Sequence, residues 1–183
     1  MIFKIFNKIN RWISINKIKR KYSTSNLIKL YGKVYLDNPN IIFGNNISLY
    51  SGVQIWGDGQ ITIGDNVAIG KDTIIFAHKP MYIGSDTSIA GQCYIIDSDH
   101  GIKKSNLIRK QELESEEIYI GSDVWIGAGC KILKGAVIGD GAVIGAMGLV
   151  NGTIESYSIN VGIPTKKIGE REWYKLCLKI KYY

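Results

Sequence analysis

Aliphatic or aromatic residues recur along the middle of the chain with a period of six. The series contains Phe43, Leu49, Ile55, Ile63, Ile69, Ile75, Ile83, Ile89 and Ile95, and it resumes at Ile120, Ile126, Ile132, Ile138, Ile144 and Val150. Four positions after most of these lies a small or β-branched residue, and glycine often follows the aliphatic residue directly. In a strand with one face buried, apolar residues would recur with a period of two, and in an amphipathic helix with a period of 3.6. A period of six with two inward positions instead predicts a parallel β-helix built from hexapeptides.

The interruptions of this period are regular. The spacing widens after every third hexapeptide, at residues 35–43, 55–63 and 75–83, and most of all at 95–120. If three hexapeptides form one triangular coil, all four insertions leave the solenoid at the same corner, about one strand spacing of 4.8 Å apart. The longest insertion is then an arm or lid at that corner.

The chain of 183 residues suits one domain. We predict an all-β solenoid of about five triangular coils over residues 35–164, with an inserted loop at 97–119. Residues 1–34 form an N-terminal helical segment, and residues 165–183 form a tail with a short helix.

The net charge of +7 belongs to the ends of the chain. Residues 1–36 contain nine Lys or Arg and no acid, whereas residues 37–164 contain eight basic and fourteen acidic residues, a balance of −6. Apolar residues of helical period alternate with Lys and Arg in the first segment, which indicates a basic amphipathic helix too charged to span a membrane. Peripheral contact with the inner membrane through residues 1–21 and capping of the solenoid or a neighbouring subunit both remain open. Nucleic acid is not an expected partner, because no reading motif accompanies the charge.

The cysteines indicate a reducing, cytoplasmic environment. Cys93 and Cys130 occupy inward positions of the repeat, and Cys177 lies in the tail. An odd count with two core positions argues against a disulfide framework. Both inward cysteines are interpreted as small buried apolar residues.

The only two histidines fall at the insertion corner. His100 lies between carboxylates and glycine at the root of the long insertion, where an imidazole is suited to general-base work. A solvated polar loop is the alternative. His78 is three residues past Ile75, as Ser98 is past Ile95, so we expect it one coil away near the same cleft, either in the site or as a turn residue. Two histidines do not complete a usual catalytic metal set, and no metal is expected.

Together these features resemble the hexapeptide-repeat acetyltransferases. The resemblance covers about residues 35–170 and rests on the repeat, the arm with its histidine, and two runs: Val124-Trp125-Ile126-Gly127-Ala128-Gly129 and Val161-Gly162-Ile163-Pro164-Thr165-Lys166-Lys167-Ile168. Within the family, the chain is most similar to sugar and polysaccharide O-acetyltransferases. The resemblance implies a left-handed β-helix, a homotrimer with sites between subunits, acetyl-CoA as donor, and a sugar or polysaccharide acceptor.

The resemblance also implies catalytic roles. His100 matches the general base that takes the proton of the acceptor hydroxyl, and the backbone N–H near Ala128 matches the donor to the oxyanion. Asp97 or Asp99 would orient His100, and Asp97 is favoured because alternate loop residues face different ways. Small-sugar members carry Asn and Pro around this loop, so the two aspartates argue against galactoside or maltose as acceptor.

The remaining implied roles concern binding. Trp125 matches the aromatic wall of the acceptor pocket, where His78 and Asp99 are also expected. The donor positions are the small residues and turn along which pantetheine would lie and two cations for the nucleotide phosphates: Gly127, Gly145, Ala146, Pro164, Lys166 and Lys167.

We therefore expect an O-acetyltransferase that acts on a surface glycan or its precursor by direct transfer in a ternary complex. Transfer to an amino-sugar nitrogen or to serine is the alternative within the class. A carbonic-anhydrase-like or non-catalytic β-helix is the alternative outside it, and it would need three zinc-binding histidines where the chain has only His78 and His100.

Overall fold

The computed structural model describes residues 2–172, which form one helix followed by short strands. Helix α1 spans Ile2–Lys21, and a 3-10 turn spans Ile108–Lys110. The strands are β1 (Ile28–Tyr31), β2 (Tyr35–Leu36), β3 (Ile41–Phe43), β4 (Ile47–Tyr50), β5 (Gln54–Gly57), β6 (Ile61–Ile63), β7 (Ala68–Ile69), β8 (Ile74–Ala77), β9 (Met81–Ile83), β10 (Ser88–Ile89), β11 (Tyr94–Ile96), β12 (Ser98–His100), β13 (Leu113–Ser115), β14 (Ile118–Ile120), β15 (Trp125–Ile126), β16 (Lys131–Ile132), β17 (Val137–Ile138), β18 (Val143–Ile144), β19 (Leu149–Val150), β20 (Thr153–Ile154), β21 (Ser158–Val161) and β22 (Lys166–Glu170).

Three stacks of parallel strands form a parallel β-helix. The first sheet contains β1, β4, β7, β10, β15, β18 and β21, the second β2, β5, β8, β11, β16 and β19, and the third β3, β6, β9, β14, β17 and β20. These make six complete coils, and β21 begins a seventh. The prediction of about five coils is therefore wrong, because residues 28–34 and 153–161 add strands at the two ends. The solenoid begins at Ile28, earlier than residue 35, and the left-handed winding stays a prediction.

The core is a set of stacked columns that run along the solenoid. In the second sheet Ile55, Ile75, Ile95, Ile132 and Val150 follow one another in register, and each is 0% exposed. Fully burying such a side chain stabilises the fold by roughly 1.5–3 kcal/mol. The hexapeptide period thus does place its aliphatic residues in one continuous core.

One corner shows why polar residues recur in the turns. Asn46, Asn66 and Asp86 have φ of 60°, 59° and 61°, a left-handed conformation that Asn and Asp tolerate well. Their side chains also join successive coils: Asn46 donates to Asn66 at 2.9 Å, and Asn66 donates to Asp86 at 2.8 Å. The turn residues therefore form a hydrogen-bonded ladder outside the core.

The insertions share one corner, as predicted. Each follows a strand of the second sheet and precedes one of the third, after β2, β5, β8 and β11. The longest insertion forms an arm, residues 97–117, whose root is the antiparallel pair β12 and β13. Farther out, the Gln111 side chain accepts from the Lys103 N–H at 2.8 Å and donates to the carbonyls of Lys103 and Asn106 at 3.0 Å each.

Further elements lie at both ends of the solenoid. Helix α1 packs on the first coil through Ile18, which is 8% exposed, and through the partly buried Ile15, and Tyr22, directly after the helix, packs there too. At the other end β22 runs antiparallel to β21, so the part of the tail that the structure describes contains a strand. The predicted short C-terminal helix otherwise lies in residues 173–183, outside the described residues. Within residues 2–172, no helix has both the length and the apolar character needed to cross a bilayer.

Candidate functional site

Both histidines lie at the insertion corner. His100 ends β12 opposite Leu113 of β13, where the hairpin fixes its main chain. The His100 side chain is exposed. It makes no hydrogen bond to any residue in the described part of the chain, so both ring nitrogens are available to a ligand.

Asp97 has a structural contact rather than the predicted one to His100. Its side chain is 0% exposed, and Oδ2 accepts from the main-chain N–H groups of His78 at 2.7 Å and Lys79 at 2.5 Å. One coil earlier the equivalent N–H groups, of Asp58 and Gly59, both donate to the Ala77 carbonyl. At Asp97 the chain leaves the coil for the arm, and the carboxylate replaces the carbonyl that the coil would have supplied.

The inward direction of Asp97 follows from strand alternation. Ile95 is buried, Ile96 is half-buried, and Asp97 takes the next inward position, in the column of Gly57 and Ala77. Its Oδ1 is buried and has no hydrogen-bond partner among residues 2–172.

An aspartate–histidine pair does exist at this corner, but it involves His78. The Nδ1 of His78 lies 2.6 Å from Oδ1 of Asp58, one coil below. This hydrogen bond is the main reason that the pKa of Asp58 is lowered. Phe76 contacts the His78 ring edge-to-face at 4.7 Å between centroids and, with Trp56, forms an aromatic stack that leads to the pair. Asp58 lies twenty positions before His78, so the coil repeat could have revealed it.

Asp99 points the other way, toward Lys134. The Lys134 Nζ lies 3.5 Å from Asp99, 3.5 Å from Glu114 and 3.9 Å from Glu116. Desolvation lowers the pKa of Lys134, but the three carboxylates outweigh it and the net shift is upward. This lysine, absent from the predicted set, ties the root of the arm to the next coil. Neither predicted aspartate therefore contacts the His100 side chain.

A second set of predicted residues lies at a different corner, between the first and second sheets. Ala128 is exposed. Its carbonyl accepts from the Met147 N–H at 2.8 Å, while its own N–H has no acceptor within the described residues. A Cβ at Gly127 would lie 2.5 Å from the Ala146 nitrogen, so the coils meet closely here. Trp125, 58% exposed on the adjoining first sheet, borders this corner.

The two corners are separate within one chain. The second sheet lies between them, with residues 93–97 crossing from one to the other, a span of roughly 15 Å at 3.3 Å per residue. Within one protomer, the root of the arm that carries His100 and the turn that carries Ala128 therefore do not meet.

The late coils and the turn after β21 carry the predicted donor residues. A Cβ at Gly145 would lie 2.7 Å from the Val161 side chain, and the turn that contains the cis Ile163-Pro164 peptide closes beside it. Lys166 has no ion-pair partner in the described part of the chain. Lys167 is paired with Glu155 at 2.7 Å and Glu170 at 2.6 Å, and these contacts raise the pKa of Lys167.

The inward cysteines are buried, as predicted. Cys93 is 1% exposed and Cys130 0% exposed, and their Sγ atoms donate to the Gly127 and Gly145 carbonyls at 3.2 Å each. The interaction between the two neighbouring thiols lowers the pKa of Cys93 and raises the pKa of Cys130. Within residues 2–172, no three His, Cys, Asp or Glu side chains form a group that could hold a metal ion.

Comparison with known proteins supports the family resemblance. Residues 117–152 match the family model of the bacterial transferase hexapeptide (six repeats). A probable acetyltransferase of Mycobacterium tuberculosis is 32% identical to the chain over 88% of its length. The chain spans 62% of the length of that relative. The resemblance to the hexapeptide-repeat transferases is confirmed.

Solved structures share the fold. The N-acyltransferase AntD of Bacillus cereus, in complex with dTDP and 3-hydroxybutyryl-CoA, is 23% identical with a TM-score of 0.70, covering 86% of this chain and 88% of that one. A maltose O-acetyltransferase of Clostridium difficile is 23% identical with a TM-score of 0.57, covering 80% of this chain and 68% of that one. Identities this low establish the architecture only.

Proposed function

We propose that this protein transfers an acetyl group from acetyl-CoA to a hydroxyl of a sugar in a surface glycan or its precursor. The observation that carries the proposal is the exposed His100 imidazole, without a hydrogen-bond partner among residues 2–172, on a hairpin at the corner where His78 also lies. The probable acetyltransferase that is 32% identical to the chain supports the reaction class.

The chemistry needs one proton acceptor and one oxyanion donor. His100 takes the proton from the acceptor hydroxyl while its oxygen attacks the thioester carbonyl. The Ala128 N–H, which has no acceptor among the described residues, donates to the oxyanion. The C–S bond then breaks, the coenzyme A sulfur receives the proton from the imidazolium, and the acetyl ester is released.

This reaction requires more than one copy of the chain. Because the second sheet separates His100 from Ala128, we propose a homotrimer in which the arm corner of one subunit faces the Ala128 corner of the next. Trp125 then lines the acceptor side of the shared cleft. An active monomer would contradict this arrangement.

The donor would lie along the late coils. Ala146 is exposed and carries a small side chain, which lets pantetheine approach this edge, while Gly127 and Gly145 let the neighbouring coils stack closely beneath it and the Pro164 turn closes the end. Lys166 is better placed than Lys167 to contact phosphate, because two carboxylates already neutralise Lys167. The AntD structures, which contain coenzyme A or its acyl form, support acyl-CoA as the donor class.

Transfer to an amino-sugar nitrogen is the second candidate. AntD has been solved with dTDP-4-amino-4,6-dideoxyglucose and coenzyme A, at a TM-score of 0.71 to this chain. An acceptor panel of glycans and nucleotide-linked amino sugars separates the two reactions. The products are treated with hydroxylamine, which cleaves an acetyl ester and leaves an amide intact.

The assignment of the base is tested with three variants. His100→Ala should lower kcat by about 10² to 10⁴, with coenzyme A affinity and melting temperature near those of the parent. His78→Ala and Asp58→Asn separate the rival pair: an equal loss in both, with His100→Ala active, would move the base to His78. Near-parent turnover in all three would reject the histidine mechanism.

A further inference from the structure

The first coil and its helix carry positive charge, and none of their described side chains forms a salt bridge. Residues 1–36 contain nine basic residues and no acid. Every salt bridge of the described residues lies elsewhere, and lysines of this end bond neutral acceptors instead: Lys29 donates to Asn46 and Lys21 to the Leu36 carbonyl, each at 2.7 Å. The charge therefore remains available to an anionic surface.

Helix α1 has two different faces. Ile15 and Ile18 turn toward the core, so Ile13 and Arg20 lie on the opposite side, and Lys17 lies at the edge between that side and the first coil. Ile13 is 41% exposed and its neighbour Trp12 67% exposed. An outward face that combines apolar and basic side chains is typical of helices that lie in a membrane interface.

A cavity lies between α1 and the first coil, next to this face. It has a volume of about 290 Å³ and is lined by Lys17, Lys21 and Lys33 together with apolar groups such as Ile18 and Leu30. Three lysine side chains beside an apolar interior suit a phosphate head group that is attached to hydrocarbon.

We propose that this end of the solenoid docks on an anionic bilayer, with a lipid phosphate in the cavity and with Trp12 and Ile13 at the acyl boundary. Charge complementarity selects this occupant, and it also sets the orientation. Residues 37–164 carry a balance of −6, so the same surface repels the body of the solenoid and attracts its first coil. The proposal does not depend on acetyl transfer.

Vesicle flotation of the full chain tests it. The probe is a vesicle of roughly one part phosphatidylglycerol to two parts phosphatidylcholine, compared with phosphatidylcholine alone at low and high salt. Each lysine near such a surface contributes roughly a factor of five, so the triple variant Lys17→Gln, Lys21→Gln and Lys33→Gln should bind on the order of 100-fold more weakly. The matched control is Lys103→Gln, Lys104→Gln and Lys110→Gln on the arm, which removes the same charge and should leave binding unchanged.

Two further variants test the charge and the apolar contact separately. Lys21 and Lys33 also make local contacts that their substitution would remove. Lys17→Glu serves as a second variant, because the Lys17 side chain makes no hydrogen bond or salt bridge in the described structure. This variant should also bind the anionic vesicles more weakly. Trp12→Ser should weaken binding in high salt, where charge is screened. Equal binding to both vesicle types, or an equal loss in the arm control, would overturn the proposal. Complete release from vesicles by inorganic phosphate would also overturn it, by assigning the cavity to a small free anion.

Discussion

The buried carboxylate of Asp97 should be a main determinant of stability at the arm. It supplies two hydrogen bonds, to the His78 and Lys79 N–H groups, where the neighbouring coil uses a main-chain carbonyl. A hydrogen bond to a charged group is worth about 1.5–3 kcal/mol. Asp97→Ala leaves both N–H groups without an acceptor, so we expect a loss of about 3–5 kcal/mol in the free energy of unfolding. Asp97→Asn keeps one acceptor oxygen and should lose about 1–2 kcal/mol.

Urea unfolding at a fixed protein concentration measures these losses. The control is Asp99→Ala, two residues along the same arm, because the Asp99 side chain is 56% exposed and lies 3.5 Å from Lys134. A surface ion pair of this kind contributes about 0–1 kcal/mol. If Asp97→Ala lost no more stability than Asp99→Ala, the carboxylate would not be replacing the missing carbonyl, and our account of how the arm leaves the solenoid would be wrong.

Three further predictions concern the donor edge and the core. Ala146→Trp should block coenzyme A in calorimetry while the fold stays intact, whereas Lys71→Trp, at the same turn position of an earlier coil, should not; tight binding by Ala146→Trp would disprove the donor track. Lys166→Ala should weaken coenzyme A binding at low salt more than Lys167→Ala, because Lys167 is already paired with Glu155 and Glu170; the reverse order would contradict the proposed phosphate contact. In a Cys177→Ser background, Cys93 and Cys130 should react with a thiol reagent only on unfolding, although the pKa of Cys93 is lowered, because both are buried; rapid labelling of the native protein would show that the core opens.

The sequence was sufficient for the repeat and for the shared corner. The period of six determines which side chains face inward. Insertions that recur once per coil must lie at the same corner of successive coils, so the positions of His78 and the arm could be predicted without tertiary information. The extra coils were missed because β1 and β21 lie outside the regular hexapeptide run, where Ile28 and Leu30 show only a short alternation.

The details of the site needed the three-dimensional contacts. Asp97 is adjacent to the histidine loop in sequence, yet its bond partners lie one coil away, at His78 and Lys79. Asp97 replaces a main-chain carbonyl that is lost where the chain leaves the coil for the arm. No local sequence pattern indicates this role. The pairing of Lys167 with Glu155 likewise arises from the antiparallel return of β22 beside β21.

Measuring acetyl transfer itself tests the proposed function without any intermediate inference. The protein is incubated with acetyl-CoA labelled in its acetyl group and with a panel of glycans and sugar nucleotides, and label in the acceptor is compared between the parent and His100→Ala. We predict a labelled product that hydroxylamine cleaves, formed by the parent and lost by a factor of about 10² or more in the variant. Release of coenzyme A without label in any acceptor, or equal labelling by His100→Ala, would contradict the account.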